Sequence, residues 1–269
     1  MKIQILSDIH LEYYDYYPGL QYFLKPSAKI LILAGDICYY KHEFFLKFFK
    51  EASFFFKYVL FVPGNHEYYT STFIDTDFES FERADYEMKD ILCNLQNVIF
   101  LQENTFTIGN INFIGATLWN DSKMTYNQLK KLNYTQNDNF VLYRNKVMPD
   151  PTKTDVINKR HYNWLSTQLN LHKNYYNIVI THFLPSKNCI DKHFQQYDDN
   201  HFFYTNCEKL FPKVNTWIYG HTHIGSKKYL KNTLLISNPH GLPIEKNKYP
   251  GYRFSKECIM VVPITSPKL

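Results

Sequence analysis

Short apolar runs recur along this chain, and most of them stop abruptly at polar or turn-forming residues. Residues 2–6 alternate and then turn apolar, which predicts a first strand opening into Ser7-Asp8-Ile9-His10. Residues 30–34 are a continuous apolar run of five, the pattern of a strand buried on both faces, and they end at Gly35-Asp36. Residues 58–62 are another such run, cut short by Pro63-Gly64 and followed by Asn65-His66-Glu67. Between them, residues 42–56 are aromatic but interrupted by Lys47, Lys50 and Glu51, the pattern of a buried or amphipathic helix. Strand, helix and strand in that order imply right-handed crossovers and a largely parallel sheet.

The same punctuation continues downstream. Residues 76–95 predict a helix, with Phe78, Phe81, Met88, Ile91 and Leu92 at helical spacing beside a charged side. A short strand follows at 98–101, and 105–108 and 111–116 flank Gly109-Asn110, a pair suited to a type II′ hairpin. Asp155 is placed to cap a helix running to Leu171, with Ile157, Trp164, Leu165 and Leu169 on its apolar side. Strands at 178–180 and 216–219 lead into Thr181-His182 and Gly220-His221-Thr222-His223. A hairpin turns on Lys231-Asn232, and 258–262 is a last strand. Two stretches break the rhythm. Residues 122–153, rich in Asn, Lys and Tyr, read as a polar insertion with weak helix, and 189–211 as loop with a short helix near its end. The expectation is one α/β domain over residues 1–269.

Composition narrows this only a little. Hydrophobic residues make up 45% of 269, enough to bury a substantial core. A formal charge of +5 is compatible with an anionic substrate but too weak to mark a nucleic-acid binder. The five cysteines (Cys38, Cys93, Cys189, Cys207 and Cys258) are dispersed with no CxxC pair, which predicts free thiols in a reducing compartment, the cytoplasm. No apolar run approaches the ~20 residues of a spanning helix, and the chain starts directly in a strand rather than in a signal segment. No membrane partner is expected.

The chemistry lies at the strand ends. Five of them supply, in order, Asp8 and His10, then Asp36, Asn65 and His66, His182, and finally His221 and His223. In sheets of this kind ligands gather beyond the carboxyl ends of parallel strands, so residues far apart in sequence meet there. Each alone is an ordinary cap or turn residue; together, after so many apolar runs, they exceed what turn chemistry supplies.

Asp8-Ile9-His10, Gly35-Asp36, Gly64-Asn65-His66-Glu67, the lone His182 and Gly220-His221-Thr222-His223 resemble the calcineurin-like metallophosphoesterases, in that family's order and over nearly the whole chain. The chain is most similar to small members that run from Ser-Asp-x-His-Leu-Glu through Pro-Gly-Asn-His-Glu-Tyr to a Thr-Leu-Trp segment. The resemblance implies a four-layer αββα sandwich, two mixed β-sheets flanked by helices, with a dinuclear metal site at the carboxyl ends of the strands. It implies that Asp8, His10 and His223 hold one ion, that Asn65, His182 and His221 hold the other, and that Asp36 bridges them. Two divalent transition metals, Mn, Fe, Zn or Ni, suit imidazole, carboxylate and amide oxygen without thiolate. A hydroxide held between such ions attacks a phosphoester while the ions neutralise the charge that builds up. His66 would stand beside the metals as the catalytic residue, stabilising the transition state or protonating the leaving oxygen.

The chain departs from the family pattern after the bridging Asp. In the serine/threonine phosphatases an Asp three residues after the bridging Asp orients the catalytic His; here that residue is Tyr39, which leaves Glu67, a backbone carbonyl or a water for the task. Trp119 and Asp121 follow strand 111–116 and are candidates to shape the substrate pocket, or else a core Trp and a turn Asp. His240 follows another strand at a position where the resemblance implies Arg, and would alter the contact to phosphate. Tyr13, Tyr14, Tyr16 and Tyr17 read as packing rather than as a nucleobase platform. Lys123, Lys130, Lys131 and Arg144 read as a solvated charged loop. The expected activity is hydrolysis of a small phosphodiester or nucleotide-like compound. A phosphomonoesterase is the alternative, and so is a nuclease, although the Lys and Arg residues are scattered. An inactive protein-binding scaffold should have lost ligands, and here every ligand position is filled.

Overall fold

The apolar runs become strands whose two faces are buried against different partners. The computed structural model describes residues 1–68, 81–120, 151–196, 198–242, 245 and 253–263. In β1 (Lys2–Leu6), β2 (Ile30–Ala34) and β3 (Tyr58–Val62), successive side chains point to opposite sides. Ile3, Ile5, Ile30, Ile32, Leu60 and Val62 face one core, while Leu31, Leu33, Val59 and Phe61 face another. Such strands must be covered twice. One cover is α2 (Glu43–Phe55), after the single turn α1 (Leu20–Phe23), together with α3 (Phe81–Leu92); they bring Phe45, Phe48, Phe49 and Met88 onto the outer face.

The other cover is a second sheet. β4 (Val98–Phe100) completes the parallel run beside β3, and β11 (Ile259–Val261) pairs antiparallel with β1, so the first sheet is ordered β11-β1-β2-β3-β4. The second sheet comprises β5 (Asn104–Ile108), β6 (Ile111–Gly115), β7 (Tyr176–Ile180), β8 (Thr216–Ile218), β9 (Ser226–Leu230) and β10 (Thr233–Ser237). Its order is β5-β6-β7-β8-β10-β9, parallel in the middle with antiparallel edges. Phe113, Ile178, Ile180, Ile218 and Ile236 pack against the first sheet. Ile114, Val179, Trp217 and Leu235 point outward and meet Leu165 and Leu169 of α4 (Pro151–Leu171). Helices, sheet, sheet and helix make the four layers of an αββα sandwich.

Both hairpins follow local backbone chemistry. Gly109 takes φ 60 in the first loop position, as a type II′ turn requires. Lys231 (φ 48) and Asn232 (φ 68) are both left-handed, the signature of type I′. Elsewhere the boundaries shift. α4 begins at Pro151 rather than at an Asp155 cap, because a proline's missing N–H and fixed φ cost nothing in a first helical turn. The described residues between 187 and 213 form three short 3₁₀ turns instead of one short helix. Most of the polar stretch 122–153, with Lys123, Lys130, Lys131 and Arg144, lies outside the described residues, as do residues 76–80 of the expected helix. All five cysteines are free thiols. Among the described residues no helix is long and apolar enough to cross a membrane.

Candidate metal centre

The parallel strands β1, β2, β3, β7 and β8 end where the candidate ligands gather, and the turns after them are sharply bent. Asp8 (φ 53), His10 (φ 48), Asp36 (φ 56), His221 (φ 64) and His223 (φ 50) all sit in the left-handed region, which costs a non-glycine residue about 1–3 kcal/mol each. That strain aims their side chains at a common point. Two glycines make room for the convergence. A Cβ on Gly35 would collide with His182 Nδ1, and one on Gly64 with the Asp36 carboxylate.

Three clusters of possible ligands result; one joins His10 to Glu12 and His66, and the other two share Asp36. Asp8, His10, Asp36 and His223 each present an atom within 4.8 Å of the others. Asp36, His182 and His221 form a second set to the same limit, with Asn65 Oδ1 2.9 Å from His182 Nε2. All seven side chains named from the strand ends as ligands are therefore brought together, three of them from the second sheet.

Proton placement tests whether these residues suit cations. His10 Nδ1 lies 3.3 Å from Glu12 Oε1, and His223 Nδ1 lies 2.7 Å from Glu245 Oε2. A carboxylate only accepts, so each neutral ring carries its proton on Nδ1 and leaves Nε2 bare. Those two bare nitrogens face each other at 3.0 Å. His182 likewise donates from Nδ1 to the Ala34 carbonyl, 2.9 Å away. Its Nε2 points at two acceptors, Asn65 Oδ1 at 2.9 Å and Asp36 Oδ2 at 3.3 Å, with His221 Nδ1 at 3.2 Å. Asp8 Oδ2 is buried with no hydrogen-bond partner among the described residues. Lone pairs turned on lone pairs in a largely buried site are what a cation resolves, and the donor set suits Mn, Fe, Zn or Ni. The local field is negative: burial opposes charge on His182, yet Asp36 and Asp8 push its pKa up to about 9, so its Nε2 holds either a proton or, in its place, a metal cation. Asp36 is held well below the usual carboxylate range, because His182 and His66 outweigh its burial.

His66 stands beside these sets. Its backbone N–H donates to Asp36 Oδ1 at 2.9 Å, and its side chain remains 13% exposed. The Tyr39 ring stacks nearly parallel to it, 6.1 Å away at 16°. Its Nδ1 lies 2.7 Å from Glu12 Oε1. Glu67, one of the groups left open for orienting His66, is engaged elsewhere. It is fully buried and accepts from the backbone N–H groups of Asp36 (2.9 Å), Ile37 (2.6 Å) and Gly64 (2.6 Å), which ties the loops after β2 and β3 together. Burial, then the charge of Asp36, pushes its pKa up to about 7. Glu12 and Glu245 are the members that sequence reasoning missed. Glu12 carried a signal, as the carboxylate two residues past His10 in the strand-end motif; Glu245 carried none.

Trp119 is 1% exposed and packs against Tyr68, Phe81 and Phe183, the core placement of the two left open for it. Asp121 lies outside the described residues. The His240 ring is buried against Phe23 (4.9 Å) and Phe254 (5.0 Å). Tyr14 and Tyr17 pack on the helix-side core, whereas Tyr13 and Tyr16 are exposed.

Comparison with known proteins bears on this arrangement. The profile of the calcineurin-like phosphoesterases matches residues 1–225. An uncharacterized protein of Acanthamoeba polyphaga mimivirus is 29% identical over 273 aligned residues, covering 94% of this chain and 95% of that protein. Among solved structures, the phosphopantetheinyl hydrolase of Mycobacterium tuberculosis superposes with a TM-score of 0.71 over 93% of this chain and 94% of its own, at 18% identity. A dimetal phosphatase from Danio rerio superposes with a TM-score of 0.50 over 88% and 86%, at 13% identity. At such identities these two structures attest the shared fold.

Proposed function

We propose that this chain, which belongs to the calcineurin-like phosphoesterase family, hydrolyses a small phosphodiester or nucleotide-like compound at the paired ligand sets. Membership makes it a metal-dependent phosphoesterase. The observation that carries the site assignment is Asp36, the one carboxylate common to both sets. In this reading Asp8, His10 and His223 would hold one divalent ion, Asn65, His182 and His221 would hold the other, and Asp36 would serve both. Bound ions of this kind lower the pKa of a water and neutralise charge on the phosphoryl oxygens.

The chain's own residues do the rest. Glu12, Glu245 and the Ala34 carbonyl fix the tautomers of His10, His223 and His182, so each Nε2 is ready to ligate. Glu67 keeps the loop that carries Asp36 in register with the loop that carries Asn65 and His66. His66, beside the ligands and partly open to solvent, offers a proton at Nε2 to the leaving oxygen. The mild formal charge of +5 and the scattered Lys and Arg residues support a small substrate over a polymer. Residues 122–153 are an insertion within the same domain in this reading.

The test is a metal-reconstituted screen with mono- and diesters of nitrophenol, cyclic nucleotides and dinucleotides. A phosphopantetheinyl ester belongs in the panel, given the name of one neighbour of the same fold. Diester turnover above monoester turnover supports the proposal, and the reverse favours the phosphomonoesterase. Asp36→Asn should abolish turnover and lower bound metal; full activity in that variant would sink the bridging assignment.

A further inference from the structure

One carboxylate in the site does two things at once. Glu12 lies in the 3₁₀ turn Leu11–Tyr13, immediately after the left-handed His10, and its side chain is 1% exposed. A single oxygen, Oε1, lies 2.7 Å from His66 Nδ1 and 3.3 Å from His10 Nδ1. Its other oxygen is buried with no partner among the described residues, so the charge is not spent elsewhere. The shorter contact is to His66, not to the ligand two residues away.

Position 39 explains why a carboxylate is wanted there. Its residue is Tyr, whose ring lies along the His66 imidazole at 6.1 Å. Tyr13 approaches the same imidazole at 6.2 Å, and the Tyr13 and Tyr39 hydroxyls share a hydrogen bond. Neither phenol can supply a fixed negative charge in the ordinary pH range; burial pushes both upward. The Glu12–His66 contact is itself little exposed, Glu12 at 1% and His66 at 13%, and a charge-assisted hydrogen bond is stronger in such a place.

We propose that Glu12 is the positioning residue for His66, taking from a different element the part that an Asp at position 39 would play, and that its shared oxygen couples the orientation of His66 to that of His10. The inference rests on the hydrolase reading of the site. With Nδ1–H held by Glu12, the His66 imidazolium can release only its Nε2 proton. As the P–O bond breaks, the electron pair stays on the leaving oxygen and the Nε2 proton passes to it. His66 becomes neutral, and Glu12 remains a carboxylate throughout.

Such a role depends on the leaving group, which a merely structural role does not. Glu12→Gln keeps size and an acceptor oxygen but loses the charge. At equal metal content it should lower kcat about 10- to 100-fold on esters with alkyl leaving groups, change nitrophenyl esters little, and leave KM in place. Glu12→Asp should recover part of the loss. The double variant Glu12→Gln/His66→Ala should be no slower than His66→Ala alone. A readout free of turnover is the ¹⁵N spectrum of the zinc-loaded protein: His66 should carry its proton on Nδ1, with a downfield resonance that disappears in Glu12→Gln. Equal losses on all leaving groups, additive losses in the double variant, or a His66 bare at Nδ1 would each overturn the assignment in an active enzyme. A wild type inactive on every ester would overturn the proposed function and the catalytic part of this inference with it.

Discussion

His66 and Glu67 are adjacent in sequence and do unrelated work. His66 keeps an exposed edge beside the ligand sets, so removing it should cost chemistry and not metal. His66→Ala is expected to lower kcat by about 10²- to 10⁴-fold with both metal equivalents retained, as measured by elemental analysis and steady-state kinetics. Loss of one equivalent would make His66 a ligand. Glu67 is the opposite case. Its carboxylate is fully buried and receives backbone N–H groups from two loops. Glu67→Ala would orphan them at about 1–3 kcal/mol per group, so the variant should unfold at clearly lower urea than wild type even with metal present. An unchanged midpoint would show that the two loops hold each other without it.

At the scale of elements, α4 reaches across to the segment that follows β6. His161 of that helix is fully buried, and its Nδ1 accepts the N–H of Leu118 at 3.2 Å. Leu118 is held at φ 55, a strained conformation for a leucine, and the contact helps to keep it there. Burial, with a smaller push from Arg160, holds the His161 pKa down at about 3 against an ordinary 6.5. The unfolded chain therefore binds a proton between these values that the folded chain does not. The contribution is complete above about pH 6.5 and is lost as pH falls toward 3. His161→Gln should lessen the acid-side slope of unfolding free energy in that window while lowering stability at pH 7, both read from urea titrations. An identical slope would mean that His161 titrates in the fold as it does in solution.

For the whole molecule, the decisive fact is that the ligand sets straddle two sheets. Asp8, His10, Asp36 and Asn65 leave the first sheet, and His182, His221 and His223 leave the second. Bound metal would therefore act as a clamp between layers, adding its binding free energy to the stability of the folded state. Chelation is expected to lower the thermal midpoint by several degrees, and Mn²⁺ or Zn²⁺ to restore it. A midpoint indifferent to chelator would disconnect the ligand sets from the packing of the sheets.

Much of this was legible in the chain itself. Runs such as residues 30–34 read as strands covered on both faces, because an unbroken apolar run of that length has no side to offer water. The turns after them were readable because Gly and Pro act locally, and the ligand types stood there in order. Other features depend on contacts across the sandwich. Trp119 shapes the core because Phe81 and Phe183 close over it from distant parts of the chain. Glu12 reaches His66 only because β1 and β3 end at the same level with β2 between them. Local sequence thus determined the strands, their ends and the residue types waiting there, since backbone strain and side-chain burial are settled within a few residues. Which carboxylate meets which histidine, and where protons then rest, was decided by the tertiary structure, because those are distances between segments that no local pattern encodes.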